Sequence, residues 1–356
     1  MILSVIGARP QFIKATVVSK ALKEAGILEM LIHTGQHYDE KMSAVFWKEL
    51  DLPQVEINLE CGSGQQGAQT AAIIEKLEIF ITKLTSMPEA VIVYGDTNST
   101  LAAAIVCSKL QIPVLHVEAG LRSFNRAMPE EINRVVTDHL STMLFCSSEE
   151  GVNQLKKEGI TTNVYNVGDV MLDAITQFGT IAESTVDLKA ILPFKDENFC
   201  LLTVHRPVNT NNTEVMQSVL QSISDIGMQV VWPIHPRIKE KIAAIKIPNN
   251  IHVIEPLSYL EMLALLKKVH KVFTDSGGLQ KEAYWLKKPC ITLRDETEWI
   301  ETINNSWNIL TGTNPDKIKD AFKKNVDETS WVPLYGDGDA GKKIVEKIHQ
   351  ILSVNV

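Results

Sequence analysis

Apolar residues along the chain gather in short runs that alternate with longer stretches of helical spacing. In the first half these runs lie at residues 3–6, 30–33, 90–94, 113–117 and 143–146. In the second half they lie at residues 199–204, 229–234, 251–254, 271–274, 290–293 and 308–310. Each run is about as long as a buried strand, and the intervening stretches carry apolar residues at helical spacing. The alternation predicts parallel βαβ units throughout the chain.

A polar stretch separates two series of these units. The motif VYNVGDVMLDAI, residues 164–175, leads out of the first series, and the residues from there to 198 are polar and irregular. We therefore expect an α/β protein of two doubly wound Rossmann-like domains with a cleft between them. The predicted domains are residues 1–170 and residues 171–339, and an amphipathic helix follows from residue 340.

Composition and charge exclude several classes of protein. With 356 residues, 45% apolar and 22% charged, the chain can fill two cores of ordinary size. The net charge of −8 argues against nucleic-acid binding, and no apolar run approaches the ~18 residues of a membrane span. The first residues predict a core strand rather than a signal peptide. The five cysteines lack CxxC spacing, which favours reduced core residues in a cytoplasmic protein.

The stretch HVEAGLRSFNRAMPEEINR, residues 116–134, joins a predicted buried strand to a predicted helix. Glu118 directly follows His-Val in that strand, where a carboxylate needs a partner. Pro129 suits the first turn of the helix. The apolar face of this helix is predicted to carry Ile132, Val135, Val136, Leu140 and Met143. Glu130 and Glu131 are equally compatible with a functional role and with simple stabilisation of the helix dipole.

Ionisable and small residues follow the predicted strands in both halves. In the first half they are Arg9, Lys14, Asp96 and Glu118. In the second half they are His205, Arg206, His235, Arg237, Glu255 and the run Ser276, Gly277 and Gly278. Any one of them could be a helix cap or a loop ion pair. Because open α/β sheets bind ligands at the carboxyl ends of their strands, so many candidates favour one inter-domain site.

The motif TDSGGLQKE, residues 274–282, is the most specific of these features. Two glycines between a strand and a helix let backbone N–H groups approach an anion at the helix amino end. The alternative is a plain turn that needs glycine for its backbone conformation. Because the chain has neither GxGxxG after its first strand nor a P-loop motif, we expect a diphosphate held by Ser276, Gly277 and arginines. Glu282, one turn further on, would face ligand hydroxyls.

The candidate charges suggest proton transfer coupled to loss of an anion. The carboxylates are Asp96, Glu118 and Glu130, and the opposing donors are Arg9, Lys14, His205 and Arg206. Carboxylates can abstract a carbon-bound proton, while cationic donors stabilise a departing anion. His205 and His235 belong neither to a cysteine-containing metal motif nor to an HExxH motif, so no metal site is predicted.

The motifs also resemble a known family. GARPQFIK, TGQHYD, YGDTNSTLA, HVEAGLRS with PEEINR, VHRPVN, TDSGGLQKEA and LRDETEW occur in order between Gly7 and Trp299. In this the chain is similar to the non-hydrolysing UDP-N-acetylglucosamine 2-epimerases. The resemblance implies a fold like that of GT-B glycosyltransferases, with the helix at residues 340–356 returning to the first domain and UDP bound by the second. It also implies a homodimer without a metal or redox cofactor.

The family reaction eliminates UDP across C1–C2 of the sugar to give a 2-acetamidoglucal, then adds UDP back with C2 inverted. By resemblance, the catalytic residues are Asp96, Glu118, Glu130 and His205. Also by resemblance, the UDP-binding residues are Arg9, His235, Ser276, Gly277, Gly278 and Glu282, with Lys14 near the site. Val208 departs from the pattern, because it stands where the family has an acid.

The expected function is therefore UDP-N-acetylglucosamine 2-epimerisation for surface polysaccharide synthesis. GARPQF, SGGLQKEAYW and DETEW are closer to the branch that acts on UDP-2,3-diacetamido-2,3-dideoxyglucuronic acid. That substrate is one alternative. A GT-B glycosyltransferase and a catalytically silent nucleotide-sugar sensor are the others, and three converging acids argue against a sensor.

Overall fold

A computed structural model describes residues 1–36, 55–195, 197–234, 238–242, 245–304 and 306–352. Internal contacts divide the chain into two compact units. Unit one is Met1–Thr176 with Tyr335–Val356, and unit two is Gln177–Leu334. His37, His235 and Arg237 lie outside the described residues.

Unit one is built on a seven-stranded sheet in which all recorded pairs are parallel. Its strands are β1 (Ile2–Ile6), β2 (Glu29–His33), β3 (Ile57–Asn58), β4 (Ala90–Tyr94), β5 (Val114–Ala119), β6 (Met143–Cys146) and β7 (Val164–Asn166). They lie in the order β3-β2-β1-β4-β5-β6-β7, so the chain reverses direction across the sheet between β1 and β4. The helices of the first part of the chain are α1 (Arg9–Glu24), α2 (Gln66–Thr82), α3 (Asn98–Lys109), α4 (Pro129–Leu140), α5 (Glu149–Lys157) and α6 (Val170–Thr185).

Unit two repeats the plan with six parallel strands. These are β8 (Phe199–Thr203), β9 (Gln229–Pro233), β10 (Ile251–Ile254), β11 (Val272–Thr274), β12 (Cys290–Thr292) and β13 (Asn308–Leu310), in the order β10-β9-β8-β11-β12-β13. Its helices are α7 (Leu188–Ile191), α8 (Pro207–Thr210), α9 (Thr213–Ser224), α10 (Lys239–Ile242), α11 (Tyr259–Lys268), α12 (Gly277–Trp285), α13 (Ile300–Asn304) and α14 (Pro315–Lys323). Both units are Rossmann-like, as the alternation of strands and helices predicted.

Continuous apolar strands explain the placement of the cores. Every residue of β1, β4 and β6 is buried, which is typical of parallel strands covered by helices on both faces. In unit two the sheet packs two clusters, one around Trp232 and Phe273 and one around Leu265 and Val272.

The last helix, α15 (Ala340–Leu352), completes unit one. Asp173 accepts hydrogen bonds from the backbone N–H groups of Ala340 at 3.1 Å and Gly341 at 2.8 Å. This carboxylate satisfies two of the donors that a helix amino end leaves unpaired. A Cβ at Gly341 would lie 2.9 Å from Val17 Cγ1, so glycine permits the close contact between α15 and α1.

Helix α4 corrects one expectation. The predicted apolar face is not the face that unit one buries, since Ile132 is 51% exposed. Met143 belongs to β6 rather than to the helix. The buried side chains of α4 are instead polar: Glu131, Asn133, Arg134, Thr137 and Asp138. Glu131, Asn133, Arg134 and Asp138 have hydrogen-bond partners beside the strand ends, which is how so polar a face can be buried. Thr137 Oγ1 has no hydrogen-bond partner among the described residues.

None of the described helices is long and apolar enough to cross a membrane. All five cysteines are free thiols, and four of them are buried. Burial raises the pKa of Cys107, Cys200 and Cys290 to about 12, so these thiols are core groups rather than nucleophiles.

Candidate active site

In unit one, the carboxyl ends of β4 and β5 bring two predicted site residues onto neighbouring strands. The backbone N–H of Gly95 donates to the carbonyl of Val117 at 2.9 Å. The residues that follow these two are Asp96 and Glu118. The two carboxylates therefore start from adjacent backbone positions at one edge of the sheet.

Glu118 lies in an unusual backbone conformation. Its φ is +72°, a region that side chains other than glycine rarely adopt, and the β5–β6 register shifts between Val117 and Ala119. The strand continues through Glu118 to Ala119 instead of ending at Val117. Left-handed backbone at a non-glycine residue costs about 1–2 kcal/mol, so the surrounding structure must hold it there.

Lys14 forms an ion pair with Glu118, and their side chains are only 10% and 11% exposed. Lys14 projects from α1 toward the same strand ends, because a Cβ at Gly95 would lie 3.4 Å from its Nζ. Glycine at position 95 thus leaves room for the lysine. The pairing supplies the partner that Glu118 was predicted to need.

Asp96 is held by α4 in a similar way. Its carboxylate pairs with Arg134, and its backbone carbonyl accepts a hydrogen bond from Asn133 Nδ2 at 2.9 Å. Arg134 also donates to Glu131 Oε2 at 3.0 Å. The buried polar face of α4 therefore fixes the loop that follows β4.

Gln11 ties the first turn of unit one to the turn after β4. Its Oε1 accepts from the backbone N–H groups of Gly7 at 2.8 Å and Ala8 at 3.0 Å. Its Nε2 donates to the carbonyl of Tyr94 at 2.8 Å and to Thr97 Oγ1 at 3.0 Å. The side chain is 1% exposed, so its role is to join these two loops.

A second buried network surrounds the Glu118 loop. His116 Nδ1 lies 2.7 Å from Asp138 Oδ1, and His116 Nε2 lies 2.8 Å from the carbonyl of Gly95. Asp138 also accepts from the N–H of Gly120 at 3.1 Å and from Arg122 Nη1 at 2.7 Å. Burial raises the pKa of Asp138, but His116 and Arg122 outweigh that effect and leave it below its ordinary value.

The acidic pair at the start of α4 divides into two different environments. Glu131 is buried and accepts hydrogen bonds at 2.9 Å from the N–H and Oγ of Ser123 and from the N–H of Phe124. It therefore organises the loop before the helix. Glu130 is exposed, and the described contacts do not bring it to Asp96 or Glu118.

In unit two, Asp275 organises the loop that carries His205 and Arg206. The fully buried carboxylate accepts from the backbone N–H of His205 at 3.1 Å and from that of Arg206 at 2.9 Å. It also accepts from Asn209 Nδ2 at 2.9 Å and lies 3.5 Å from His205 Nδ1. Since Asp275 precedes Ser276, one carboxylate fixes the loop after β8 relative to the turn after β11.

The SGG run forms the amino end of α12. Ser276 is the N-cap residue, and its Oγ accepts from the N–H of Leu279 at 3.5 Å. Gly277 lies beneath Trp299 and Glu298, whose atoms would be 3.6 and 3.7 Å from a Cβ at that position. A Cβ at Gly278 would meet no atom of the described residues within 4 Å. The two glycines therefore expose backbone N–H groups at a helix amino end, an arrangement that suits an anion.

Cationic side chains border this turn. Arg294 forms a bidentate pair with Glu298 at 3.0 and 3.2 Å, and Arg206 Nη2 lies 3.9 Å from Glu298 Oε1. Burial raises the pKa of Glu298, but Arg294 and Arg206 outweigh it and leave the pKa below its ordinary value. The Glu298 carboxylate thus holds Arg206 near the turn that precedes α12.

The described contacts do not connect the other predicted site residues to these two groups of loops. Glu255 is exposed and pairs with Lys239 at 3.0 Å, beside the edge strand β10. Glu282 lies in α12 and is partly buried. Arg9 begins α1, but its side chain is outside the described part of the structure, as is all of His235. Among the described residues, no group of three or more His, Cys, Asp or Glu side chains is arranged to hold a metal ion.

Comparison with known proteins gives this geometry a family. The model of the family described as UDP-N-acetylglucosamine 2-epimerase matches residues 20–349. The chain belongs to the UDP-N-acetylglucosamine 2-epimerase family. This agrees with the resemblance of its motifs.

Members of this epimerase family match over almost their whole length. A protein of Methanococcus maripaludis named UDP-N-acetylglucosamine 2-epimerase homolog is 43% identical over 98% of this chain and 99% of its own. The UDP-2,3-diacetamido-2,3-dideoxy-D-glucuronate 2-epimerase of Pseudomonas aeruginosa is 42% identical, with the same coverage. The crystal structure of the Methanocaldococcus jannaschii UDP-GlcNAc 2-epimerase in complex with UDP-GlcNAc and UDP matches with a TM-score of 0.88. It is 40% identical and covers 98% of this chain and 100% of that one, which confirms the GT-B-like fold.

Several residues that shape this candidate site were not predicted from the sequence. Gln11, Arg134, Asp138 and Asp275 are buried polar side chains that hold the loops beside the strand ends. Each lies within or beside a motif of the family resemblance or in α4, but spacing alone does not reveal a long-range hydrogen bond. Burial of a polar residue could have indicated them, but the sequence alone does not show which polar positions are buried.

Proposed function

We propose that the protein inverts C2 of a UDP-2-acetamido sugar, with UDP-N-acetylglucosamine as substrate and UDP-N-acetylmannosamine as product. The observation that carries the proposal is the pair of carboxylates at neighbouring strand ends, each beside a cation: Asp96 with Arg134 and Glu118 with Lys14. A positioned carboxylate is a group that can accept a carbon-bound proton. Membership of the epimerase family supports the same chemistry.

In the proposed reaction a carboxylate of unit one removes the proton from C2 while the C1–O bond to UDP breaks. The product of this step is a 2-acetamidoglucal with a C1=C2 double bond, and UDP carries the bonding electrons away as an anion. Return of a proton to the opposite face of C2 and of UDP to C1 completes the inversion, so atoms and electrons balance. Asp96, Glu118 and Glu130 are the proposed acids and bases, and His205 is the proposed partner from unit two.

Unit two supplies the proposed UDP site. The N–H groups of Gly277 and Gly278 at the amino end of α12 suit the diphosphate, and Arg206 lies nearby through Glu298. Such donors also stabilise the departing UDP anion. Glu282 is the proposed partner of the ribose hydroxyls. Arg9, Lys14, His235, Glu255 and Ser276 complete the proposed substrate-binding set.

A second substrate deserves equal testing, namely UDP-2,3-diacetamido-2,3-dideoxyglucuronic acid. The Pseudomonas aeruginosa relative is named for that activity and is as similar to this chain as relatives named for UDP-N-acetylglucosamine. The C2 chemistry is the same for both sugars. The difference lies in the groups at C3 and C6.

The test is proton NMR of the purified protein with each UDP-sugar in D₂O. We expect deuterium at C2 together with a manno-configured product from one of the two sugars. Binding of UDP without exchange of the C2 proton from either sugar would contradict the proposal. Transfer of the sugar to an acceptor without C2 exchange would instead indicate a glycosyltransferase.

We also propose that the protein is a homodimer in the cytoplasm. The dimer is what the resemblance of the motifs to the epimerase family implies. The free thiols of all five cysteines support a reducing compartment. Light scattering coupled to size-exclusion chromatography tests the dimer, and a mass of one chain would contradict it.

A further inference from the structure

His116 is a buried histidine whose two ring nitrogens both have partners. The side chain is 0% exposed in the interior of β5, between the apolar residues Leu115 and Val117. Nδ1 lies 2.7 Å from Asp138 Oδ1, and Nε2 lies 2.8 Å from the carbonyl oxygen of Gly95. A carbonyl oxygen only accepts hydrogen bonds, so Nε2 carries the hydrogen and donates it.

The two partners of the ring lie on either side of the proposed chemistry. Gly95 directly follows β4 and directly precedes Asp96. Asp138 accepts the N–H of Gly120, two residues after Glu118, at 3.1 Å. One imidazole therefore connects the backbone before Asp96 to the backbone after Glu118.

We propose that His116 is a positioning residue for C2 epimerisation, which holds the ends of β4 and β5 so that Asp96 and Glu118 address the same sugar carbon. This inference rests on the proposed function. His116 acts through Gly95 and Asp138 and does not itself touch the sugar.

The anchoring of Asp138 supports this role. Arg122 Nη1 donates to Asp138 Oδ2 at 2.7 Å, and Arg122 also pairs with Glu158 through Nε at 2.8 Å and Nη2 at 2.7 Å. The carboxylate that contacts His116 is therefore itself held through Arg122 by Glu158, the residue that follows α5. Both ring nitrogens of His116 therefore face oxygen atoms that accept hydrogen bonds, Asp138 Oδ1 and the carbonyl oxygen of Gly95.

The backbone of Glu118 explains why such a device is needed. Its φ of +72° is unfavourable for glutamate, and Gly120 at +83° completes an irregular turn. Without the bond from Gly120 to Asp138, this loop has less to oppose its relaxation. A displacement of about 1 Å at reacting groups can lower a rate by about 10²-fold.

Two substitutions separate the two bonds of the ring. In His116→Asn the amide nitrogen occupies the position of Nδ1, so the contact with Asp138 can persist while the contact with Gly95 is lost. In His116→Gln the amide nitrogen occupies the position of Nε2, so the contact with Gly95 can persist while the contact with Asp138 is lost. His116→Ala removes both.

The measurements are kcat and KM for the UDP-sugar, the Kd for UDP, and the rate of C2 deuterium exchange. Rates are expressed per UDP-binding site, so misfolded protein does not count. We expect His116→Ala to lower kcat by about 10²-fold, and each amide variant to restore part of that loss. KM and the Kd for UDP should stay within about twofold of wild type, because the proposed UDP site lies in unit two.

Unchanged kcat per UDP-binding site in His116→Ala would overturn the inference, as would a parallel loss of UDP affinity. If wild type itself fails to exchange the C2 proton, the proposed function fails instead. Should the variants not fold, ¹⁵N NMR of wild-type histidine gives an independent answer. Nε2 of His116 should carry a hydrogen, because it faces the carbonyl oxygen of Gly95, and a bare Nε2 would overturn the inference.

Discussion

Asp275→Asn tests whether one buried carboxylate holds the loops of unit two together. Asp275 is fully buried and accepts three donors: the N–H of His205 at 3.1 Å, the N–H of Arg206 at 2.9 Å and Asn209 Nδ2 at 2.9 Å. All three reach Oδ2. Asparagine can therefore keep these three bonds by placing its own oxygen there. It loses the charge and the second contact of the His205 N–H, which also reaches Oδ1 at 3.1 Å.

The magnitude follows from that geometry. A hydrogen bond to a charged group contributes about 1.5–3 kcal/mol, against about 0.5–1.5 kcal/mol for a neutral one. Each of the three bonds should therefore weaken by about 1 kcal/mol, which gives a loss of about 3 kcal/mol in the free energy of unfolding. The amide nitrogen must also replace Oδ1, which lies 3.5 Å from His205 Nδ1, so His205 loses an anionic neighbour.

Urea unfolding followed by tryptophan fluorescence measures this loss. Five of the six tryptophans lie in residues 177–334, so the signal reports mainly on unit two. Asp225→Asn is the control, because Asp225 makes an exposed pair with Lys319 at 2.6 Å in the same unit. Both variants remove one negative charge, but the control should change the unfolding midpoint far less. A loss below about 1 kcal/mol for Asp275→Asn would refute the claim that its charge strengthens these bonds.

Three further predictions concern unit one. Burial raises the pKa of Asp173 from 3.8 to about 6, so the folded state binds this proton more tightly than the unfolded chain does. Wild type should therefore lose stability relative to Asp173→Asn as pH rises from about 4 to about 6, and a constant difference in urea unfolding from pH 3 to 8 would contradict this. Glu118→Gly should be about 1 kcal/mol more stable than Glu118→Ala, because both lose the pair with Lys14 but only glycine adopts φ +72° without strain; equal unfolding midpoints would argue against that strain. Glu131→Gln should lower the melting temperature, since Glu131 accepts three hydrogen bonds from the preceding loop. Glu130 is exposed, so Glu130→Gln should leave the melting temperature unchanged and lower kcat by about 10²–10⁴-fold, and the reverse pattern would exchange the two roles.

Much of the fold could be predicted because parallel strands buried on both faces leave a strong apolar signal. The runs at residues 90–94, 143–146 and 251–254 match β4, β6 and β10 without a shift. This apolar pattern is weaker where the buried face of an element consists of polar side chains. Helix α4 turns Arg134 and Asp138 inward, and no periodicity of apolar residues predicts that choice.

The candidate site was predictable in its positions but not in its connections. Strand ends identified Asp96 and Glu118, and the structure places Asp96 shortly after β4 and Glu118 within the last residues of the neighbouring β5. The left-handed backbone of Glu118 could not be predicted from its residue type, because glutamate has no preference for that region. The catalytic and binding roles of the site residues remain predictions.

The return of α15 to unit one has a consequence for the order in which the protein can fold during synthesis. Unit two is a continuous segment, Gln177–Leu334, whose last residue is made before α15 exists. Unit one lacks the helix that packs on α1 and that Asp173 caps until Ala340–Leu352 has been translated. On the ribosome the first-made unit should therefore be the last to be completed, with α1 still uncovered while unit two is already whole.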